Sequence, residues 1–389
     1  MARVRLLLTL VLCLPLAAQP SLKELWVRHD AILLNPSPQG APKPESSTHL
    51  FTGARGQQVR GWDVGESTSP AVLWWTGGPG AGVEDPDIRS WWGDYSKKMR
   101  SLVLDQPGVG DGTSAWVPGW RPEDSADDAE AFLRMRGVKG PVIVFGWSWG
   151  STMALLFAQR HPERVRAVVV GGVWANSAAE VRRYLGANGT RAFLPGVAEA
   201  FASLLPSGGS ACDLHAAIRD GKGGMALGKA YEDAEMHQCF VDTMLRTPLM
   251  ERVAPAPGSA VDMVTCKDPT LRFAFIESEM MCRGERGGWK LELRFPPSLA
   301  QAPLVVIQGR FDQVCDPEVA WKVYKAWPGD RKRWVPLNAG HASIRGVTGE
   351  ELQLVGLDPA LVEKVNLALK VHLGSTGRMA GAALSLLAE

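Results

Sequence analysis

The sequence predicts an α/β fold: a mostly parallel sheet flanked by helices, with a helical cap inserted late in the chain. Three observations predict it. Short apolar runs alternate with helical patterns from about residue 48 onward, as they do when helices cover both faces of a parallel sheet. The run Val142–Phe145 passes through Gly146-Trp147-Ser148-Trp149-Gly150 directly into a helical pattern. The alternation stops between about residues 174 and 298, where Ala, Met, Cys and charged helix formers take over, and then resumes.

The elements follow in order. Arg3 and Arg5 precede an apolar run from Leu6 to Leu16 and the small residues Ala17-Ala18. A basic start, a short apolar centre and small residues at the end have the form of a signal peptide, assigned to residues 1–19. The run is too short to span a bilayer. Residues 20–47 read as an extended lead-in. His49–Thr52 and Gln58–Val64 form an expected hairpin, and Ala71–Trp75 and Ser101–Asp105 are short strands ending in turn signals. Glu123–Arg136 is an expected helix, Val142–Phe145 a buried strand, Ser148–Arg160 a helix and Val165–Val170 a strand. Pro303–Gln308 and Arg333–Leu337 repeat the strand pattern, and Asp358–Leu373 closes the chain as a helix. The expected domains are a core of residues 20–173 and 299–389 and a cap of residues 174–298. Ala380–Leu387 is a candidate docking helix.

Composition narrows the function classes. A formal net charge of +1 removes the clustered cationic surface on which nucleic-acid affinity rests. After the signal segment no run is apolar and long enough for stable membrane insertion. Five cysteines remain beyond Cys13, and four of them, Cys212, Cys239, Cys266 and Cys282, fall close together. In an exported protein (periplasmic or secreted) they allow two disulfides in one of three pairings, with the neighbour pairing Cys212–Cys239 and Cys266–Cys282 favoured. No two have the short spacing of a structural zinc site. Cys315 is left as an odd thiol.

The chemistry centres on Ser148. In a strand–turn–helix of this kind, Gly146 and Gly150 remove side chains that would collide, and the strained central residue is lifted above the sheet edge. The helix N-terminus adds partial positive charge for a developing oxyanion. A serine hydroxyl needs a base, and in this arrangement the acid and then the histidine follow along the chain. His341, in Asn338-Ala339-Gly340-His341-Ala342 just past a late strand, is the expected base; His161, His215, His237 and His372 sit on helices or in the cap. Asp312, past the strand Val305–Gln308, is the expected acid, with Asp316 as local competitor and candidate helix cap. The turn Thr76-Gly77-Gly78-Pro79-Gly80 should supply one oxyanion donor from Gly78 or Gly77, with the backbone N–H of Trp149 as the other. This chemistry calls for no metal and no cofactor.

These segments resemble the proline iminopeptidase family of α/β-hydrolase serine peptidases. Gly77-Gly78-Pro79-Gly80 matches its oxyanion turn, and Asp105-Gln106-Pro107-Gly108 with Gly110 and Ser114 looks like its Asp-Gln-Arg-Gly loop. Gly146–Ala154 with His161-Pro162-Glu163-Arg164-Val165 is similar to its nucleophile segment, and Gly309-Arg310-Phe311-Asp312 and Gly340-His341 to its acid and base. The departures are Thr76 where the family has His, Pro107 where it has Arg, and Trp147 where it has Gly. The last is expected to narrow the space beside the nucleophile. The resemblance implies peptide substrates and removal of an N-terminal residue, proline or another apolar one, with cap glutamates holding the ammonium group. Glu277, with Glu279 as alternate, and Glu232 are the positions that match. Alternatives are a serine carboxypeptidase-like peptidase, which needs donors for a carboxylate, a small-substrate esterase, and a non-catalytic binding protein of the same fold.

Overall fold

A computed structural model describes residues 47–65, 71–82, 100–109, 114–185, 210–220, 263, 269–337 and 341. The chain falls into two units, residues 1–42 and 43–389, and every described residue belongs to the second. The signal segment, Glu232, Cys239, Cys266 and the closing segments after residue 341 lie outside the described residues.

The core is an eight-stranded sheet. Its strands are β1 (Ser47–Thr52), β2 (Gln58–Val64), β3 (Ala71–Trp75), β4 (Arg100–Leu104), β5 (Val142–Trp147), β6 (Val165–Gly171), β7 (Leu304–Gly309) and β8 (Lys332–Leu337). Their spatial order is β1-β2-β4-β3-β5-β6-β7-β8. β1, β2 and β4 pair antiparallel, and every later pairing is parallel. The crossing of β3 and β4 places β3 beside β5, so the turn after β3 and the turn after β5 leave the same end of the sheet. The expected α/β architecture is present.

The central strands are apolar throughout because helices cover them on both faces. Leu73, Leu102, Val144, Val168 and Val306 have no exposed surface. The helices are α1 (Pro122–Met135), α2 (Trp149–Arg160), α3 (Ala178–Leu185), α4 (Ala211–Arg219), α5 (Pro269–Glu285) and α6 (Pro317–Ala326). α1 and α6 begin with Pro at the first turn, where the missing N–H costs nothing. Between β6 and β7 the described regular elements are helical.

α1 locks the first hairpin to the sheet. Phe132 stacks on Phe51 with ring centroids 5.6 Å apart, and a Cβ at Gly61 would stand 2.7 Å from the Phe132 ring. Gly61 therefore makes room for the aromatic. Beside it, buried Asp128 accepts hydrogen bonds from the Ala54 N–H and from Gln57 Nε2 in the hairpin turn. Burial pushes the Asp128 carboxyl up to about 6, against the Ala54 hydrogen bond, and the charges of Asp124 and Asp127 push the same way.

Phe132→Ala removes a ring with no exposed surface and is expected to cost about 3–5 kcal/mol in urea unfolding, since the rigid strands above it cannot collapse into the gap. Asp128 gives a pH signature. The folded state holds its proton more tightly than the unfolded chain does, so its stabilisation is complete below about pH 4 and is lost as the pH rises through 6. Stability relative to Asp128→Asn should therefore fall between pH 4 and pH 7, and a pH-independent difference would contradict the assignment.

Candidate active site

Ser148 sits between β5 and α2 with φ 56° and ψ −129°. Among the described residues it shares a positive φ with a single other non-glycine residue, Asn176. Such a conformation costs on the order of 1–3 kcal/mol and persists when its surroundings over-determine it. They do so here. A Cβ at Gly146 would stand 1.9 Å from the Gly150 carbonyl oxygen, and one at Gly150 would stand 2.4 Å from that of Trp75. The Ser148 N–H donates to the Gly171 carbonyl at 3.0 Å, and the Ser148 carbonyl accepts from Ser151 N–H and Oγ. β3, β5, β6 and α2 thus all grip this one turn.

The turn after β3 stands beside it. A Cβ at Gly77 would lie 3.7 Å from the Ser148 Cβ, and Gly78 (φ 105°) and Gly80 (φ 112°) adopt conformations open to glycine. Thr76 donates its hydroxyl to the Ala81 carbonyl at 2.7 Å and so closes the turn on itself. Trp149 opens α2. Its indole N–H donates to Gln106 Oε1 at 2.8 Å, which ties the loop after β4 to the helix N-terminus. That loop is anchored in turn by the buried pair Arg60–Asp105 at 2.7 Å.

The expected acid and the expected base are in contact. His341 Nδ1 lies 2.9 Å from Asp312 Oδ2, both side chains being almost wholly buried. Asp312 Oδ2 also accepts from Gln308 Nε2, and Oδ1 accepts from the N–H groups of Val314 and Cys315. Such a donor set fixes the carboxylate in one orientation. Asp316 is elsewhere: it caps α6 by accepting from the Glu318 N–H. His161 pairs with Asp127, and His215 stands 3.2 Å from Ser278 Oγ. Asp312, Cys315 and His341 bring ligand-type atoms within 4.8 Å of one another. Both Asp312 oxygens are already engaged by hydrogen-bond donors, so this set is arranged to orient an imidazole rather than to receive an ion.

Trp147 corrects an expectation. It is absent from the residues lining the cavity at Ser148. Its ring instead lies over Gly171, where a Cβ would stand 1.9 Å from the indole, and its N–H donates to the His341 carbonyl at 3.1 Å. The larger side chain therefore fills the space over the glycine doublet, with its ring centroid 6.2 Å from that of His341, and braces the segment carrying His341. The doublet Gly171-Gly172 was the missed signal. A Cβ at Gly172 would stand 3.0 Å from His341 Cε1.

The cavity holds about 310 Å³ of space, part of it open to solvent. Gly78, Pro79 and Ser148 form one side, and Trp174, Tyr184, Glu277, Met281, Val314 and Cys315 the rest. Trp174 and Tyr184 meet edge to face just past β6 and on α3, apolar walls that strand periodicity alone does not reveal. Glu277, on α5, is 2% exposed. Its alternate Glu279 is instead paired with Arg283 one turn on. The favoured cysteine pairing is also corrected: Cys212 is bonded to Cys282, because α4 and α5 lie side by side with the two Cα atoms 4.4 Å apart.

A sheet of this order with this serine turn defines an α/β hydrolase, and the α/β hydrolase fold family matches residues 70–203. The proline iminopeptidase of Neisseria gonorrhoeae is 27% identical over 308 residues, 74% of this chain and 87% of that protein. That of Arabidopsis thaliana is 27% identical over 297 residues, 74% and 73%. Among solved structures, the 2-hydroxy-6-oxo-6-phenylhexa-2,4-dienoate hydrolase of a Rhodococcus species superposes with a TM-score of 0.45 at 16% identity, covering 83% of this chain and 99% of that one. Within the α/β hydrolases, the named relatives to which the chain is similar are proline iminopeptidases.

Trp147→Phe tests the brace. It keeps most of the ring over Gly171 and removes the donor to His341. A single hydrogen bond contributes about 1 kcal/mol, so hydrolysis of p-nitrophenyl acetate is expected to fall about fivefold with the melting temperature little changed. Unaltered ester turnover would show that His341 does not need the bond.

Proposed function

We propose that this chain is an exported serine aminopeptidase that releases an N-terminal apolar residue, proline among them, from peptides. The observation that carries the reading is buried Glu277 in the wall of the cavity that Ser148 enters. A carboxylate in such a place suits an ammonium group, whose own burial is costly unless it is paired. The described residues lining the cavity include no Lys, Arg or His, which disfavours a carboxypeptidase reading. Glu232, the second proposed amine ligand, lies outside the described residues. Trp174, Tyr184 and Met281 offer the apolar surface that the side chain of a terminal residue would meet. Export is supported by the N-terminal segment and by the Cys212–Cys282 bond, since disulfides persist in oxidising compartments.

In this reading His341 Nε2 takes the Ser148 proton as Oγ attacks the scissile carbonyl, forming a tetrahedral oxyanion. The backbone N–H groups of Trp149 and Gly78 hold that oxygen, and the N-terminus of α2 lowers its energy further. His341 returns the proton to the leaving amine and the peptide bond breaks. Water, deprotonated by the same imidazole, then releases the acyl group. Asp312 holds the imidazole in the tautomer that leaves Nε2 free to accept and stabilises its cation.

The test is a panel of aminoacyl p-nitroanilides with free and with acetylated N-termini. Free substrates should be turned over and blocked ones should not; equal turnover of both would favour an endopeptidase or an esterase. Ser148→Ala should lower kcat by about 10⁶-fold and abolish labelling by a fluorophosphonate, while Asp312→Asn should lower kcat by about 10⁴-fold. A labelled Ser148→Ala protein would refute the assignment of the nucleophile.

A further inference from the structure

We propose that the Cys212–Cys282 disulfide is a positioning element of the substrate site: it sets where Glu277 stands relative to Ser148. The inference rests on the amine-binding reading of Glu277 given above.

Glu277 lies midway along α5 between two anchors, Arg272 five residues before it and Cys282 five residues after. At 3.6 residues per turn, five residues rotate a side chain about 140° around the axis, so the anchors lie on the far side of α5 from Glu277, about 80° apart. Arg272 is 1% exposed, and it donates Nε to the Gly108 carbonyl and Nη1 to the Met263 carbonyl. This fastens the front of α5 to the loop that also carries Gln106 and, through it, Trp149. Cys282 fastens the rear to α4. Further contacts join the same pair of helices: the Cys212 N–H donates to Glu285 Oε2 at 3.2 Å, and the His215 ring meets Phe275 edge-on at 4.8 Å. The front of α5 therefore takes its place from the loop after β4, and the rear is held by two kinds of tie: hydrogen bonds from Asn176 Nδ2 to the Met280 carbonyl and from Arg283 Nη1 to the Trp120 carbonyl, and a covalent bond to α4 between residues 70 apart in sequence.

The geometry matters because a carboxylate–ammonium pair depends steeply on distance. A hydrogen bond lengthened beyond 3.5 Å is lost, and the buried charge is then left solvated by neither water nor partner. If the disulfide is released, the rear of α5 loses its tie to α4 and keeps only the non-covalent ties to Asn176 and Trp120, so the helix shifts and Glu277 moves with it. Ser148, Asp312 and His341 sit on the sheet and its loops, so they stay in place. The bond should thus govern binding of the substrate amine and leave acyl chemistry alone.

The experiment uses the full chain. Alkylation and mass spectrometry under denaturing conditions first show whether Cys212 and Cys282 are bonded. Then kcat and KM are measured for the best-turned-over free-amine p-nitroanilide, and turnover for p-nitrophenyl acetate. Both are measured before and after reduction and for Cys212→Ser/Cys282→Ser, with Glu277→Gln measured in the oxidised protein. The expected result is a rise of about tenfold in KM for the free amine on reduction and in the double variant, with kcat and acetate turnover within about twofold. Unchanged KM, equal losses on both substrates, or alkylation of both cysteines in the oxidised protein would overturn the proposal. If the double variant does not fold, the reduced wild type decides. Glu277→Gln separates the two ideas. A raised KM there with no effect of reduction removes only the positioning role, whereas an unchanged KM there removes the amine-binding reading itself and the positioning role with it.

Discussion

The main chain at the end of β5 leaves no room for a side chain at Gly146 or Gly150, and the site is organised around that constraint. Gly146 and Gly150 let strand, helix and the end of β3 meet without side chains between them. That contact forces Ser148 into a left-handed conformation and at the same time supplies the restraints that keep it there. The strain is affordable because four elements converge on the turn, each already committed by a fully buried apolar face. A serine presented on a loop would have no such support, and its hydroxyl would sample many positions.

From that turn the restraints spread outward through polar contacts rather than apolar packing. Trp149 reaches Gln106, whose loop is held by Arg60 through Asp105. Ser148 N–H reaches β6, and Trp147 reaches the His341 main chain. Asp312, gripped by Gln308 and two backbone N–H groups, completes the circuit from the β7 side. Apart from half-buried Ser148, every group in it is buried, so each bond acts in a medium where leaving it unmade is costly. The arrangement is consequently over-determined on the sheet side, while the opposite wall rests on α3 and α5.

The centre of the sheet was legible because β3, β5, β6 and β7 are buried and read as largely apolar runs bounded by turn residues. β1 through β8 fall within a residue or two of their expected limits. The strained turn at Ser148 and the meeting of Asp312 with His341 were legible because their chain order and flanking strands follow from the architecture, and Asp316 could be set aside as a helix cap on its Pro-Glu sequence. The direction of Trp147 was not legible. Its residue type announced bulk, but whether that bulk met the nucleophile or the glycine doublet after β6 depends on a tertiary neighbour 24 positions away. The cysteine pairing failed for the same reason: spacing favours neighbours, whereas the bond follows the packing of α4 on α5. Trp174 stands in the segment just past β6 and Tyr184 on α3, where neither strand nor helix periodicity tells which side chain looks at the site.

The fit of Trp147 over Gly171 binds the histories of two positions together. No side chain at 171 is compatible with an indole at 147, and no smaller residue at 147 can both fill the space above a glycine and hold the His341 carbonyl. A change at either position alone passes through a form that is overcrowded or unbraced. The pair is therefore expected to behave as a single heritable character, altered together or not at all, and a lineage that acquired tryptophan beside its nucleophile would find the step hard to reverse.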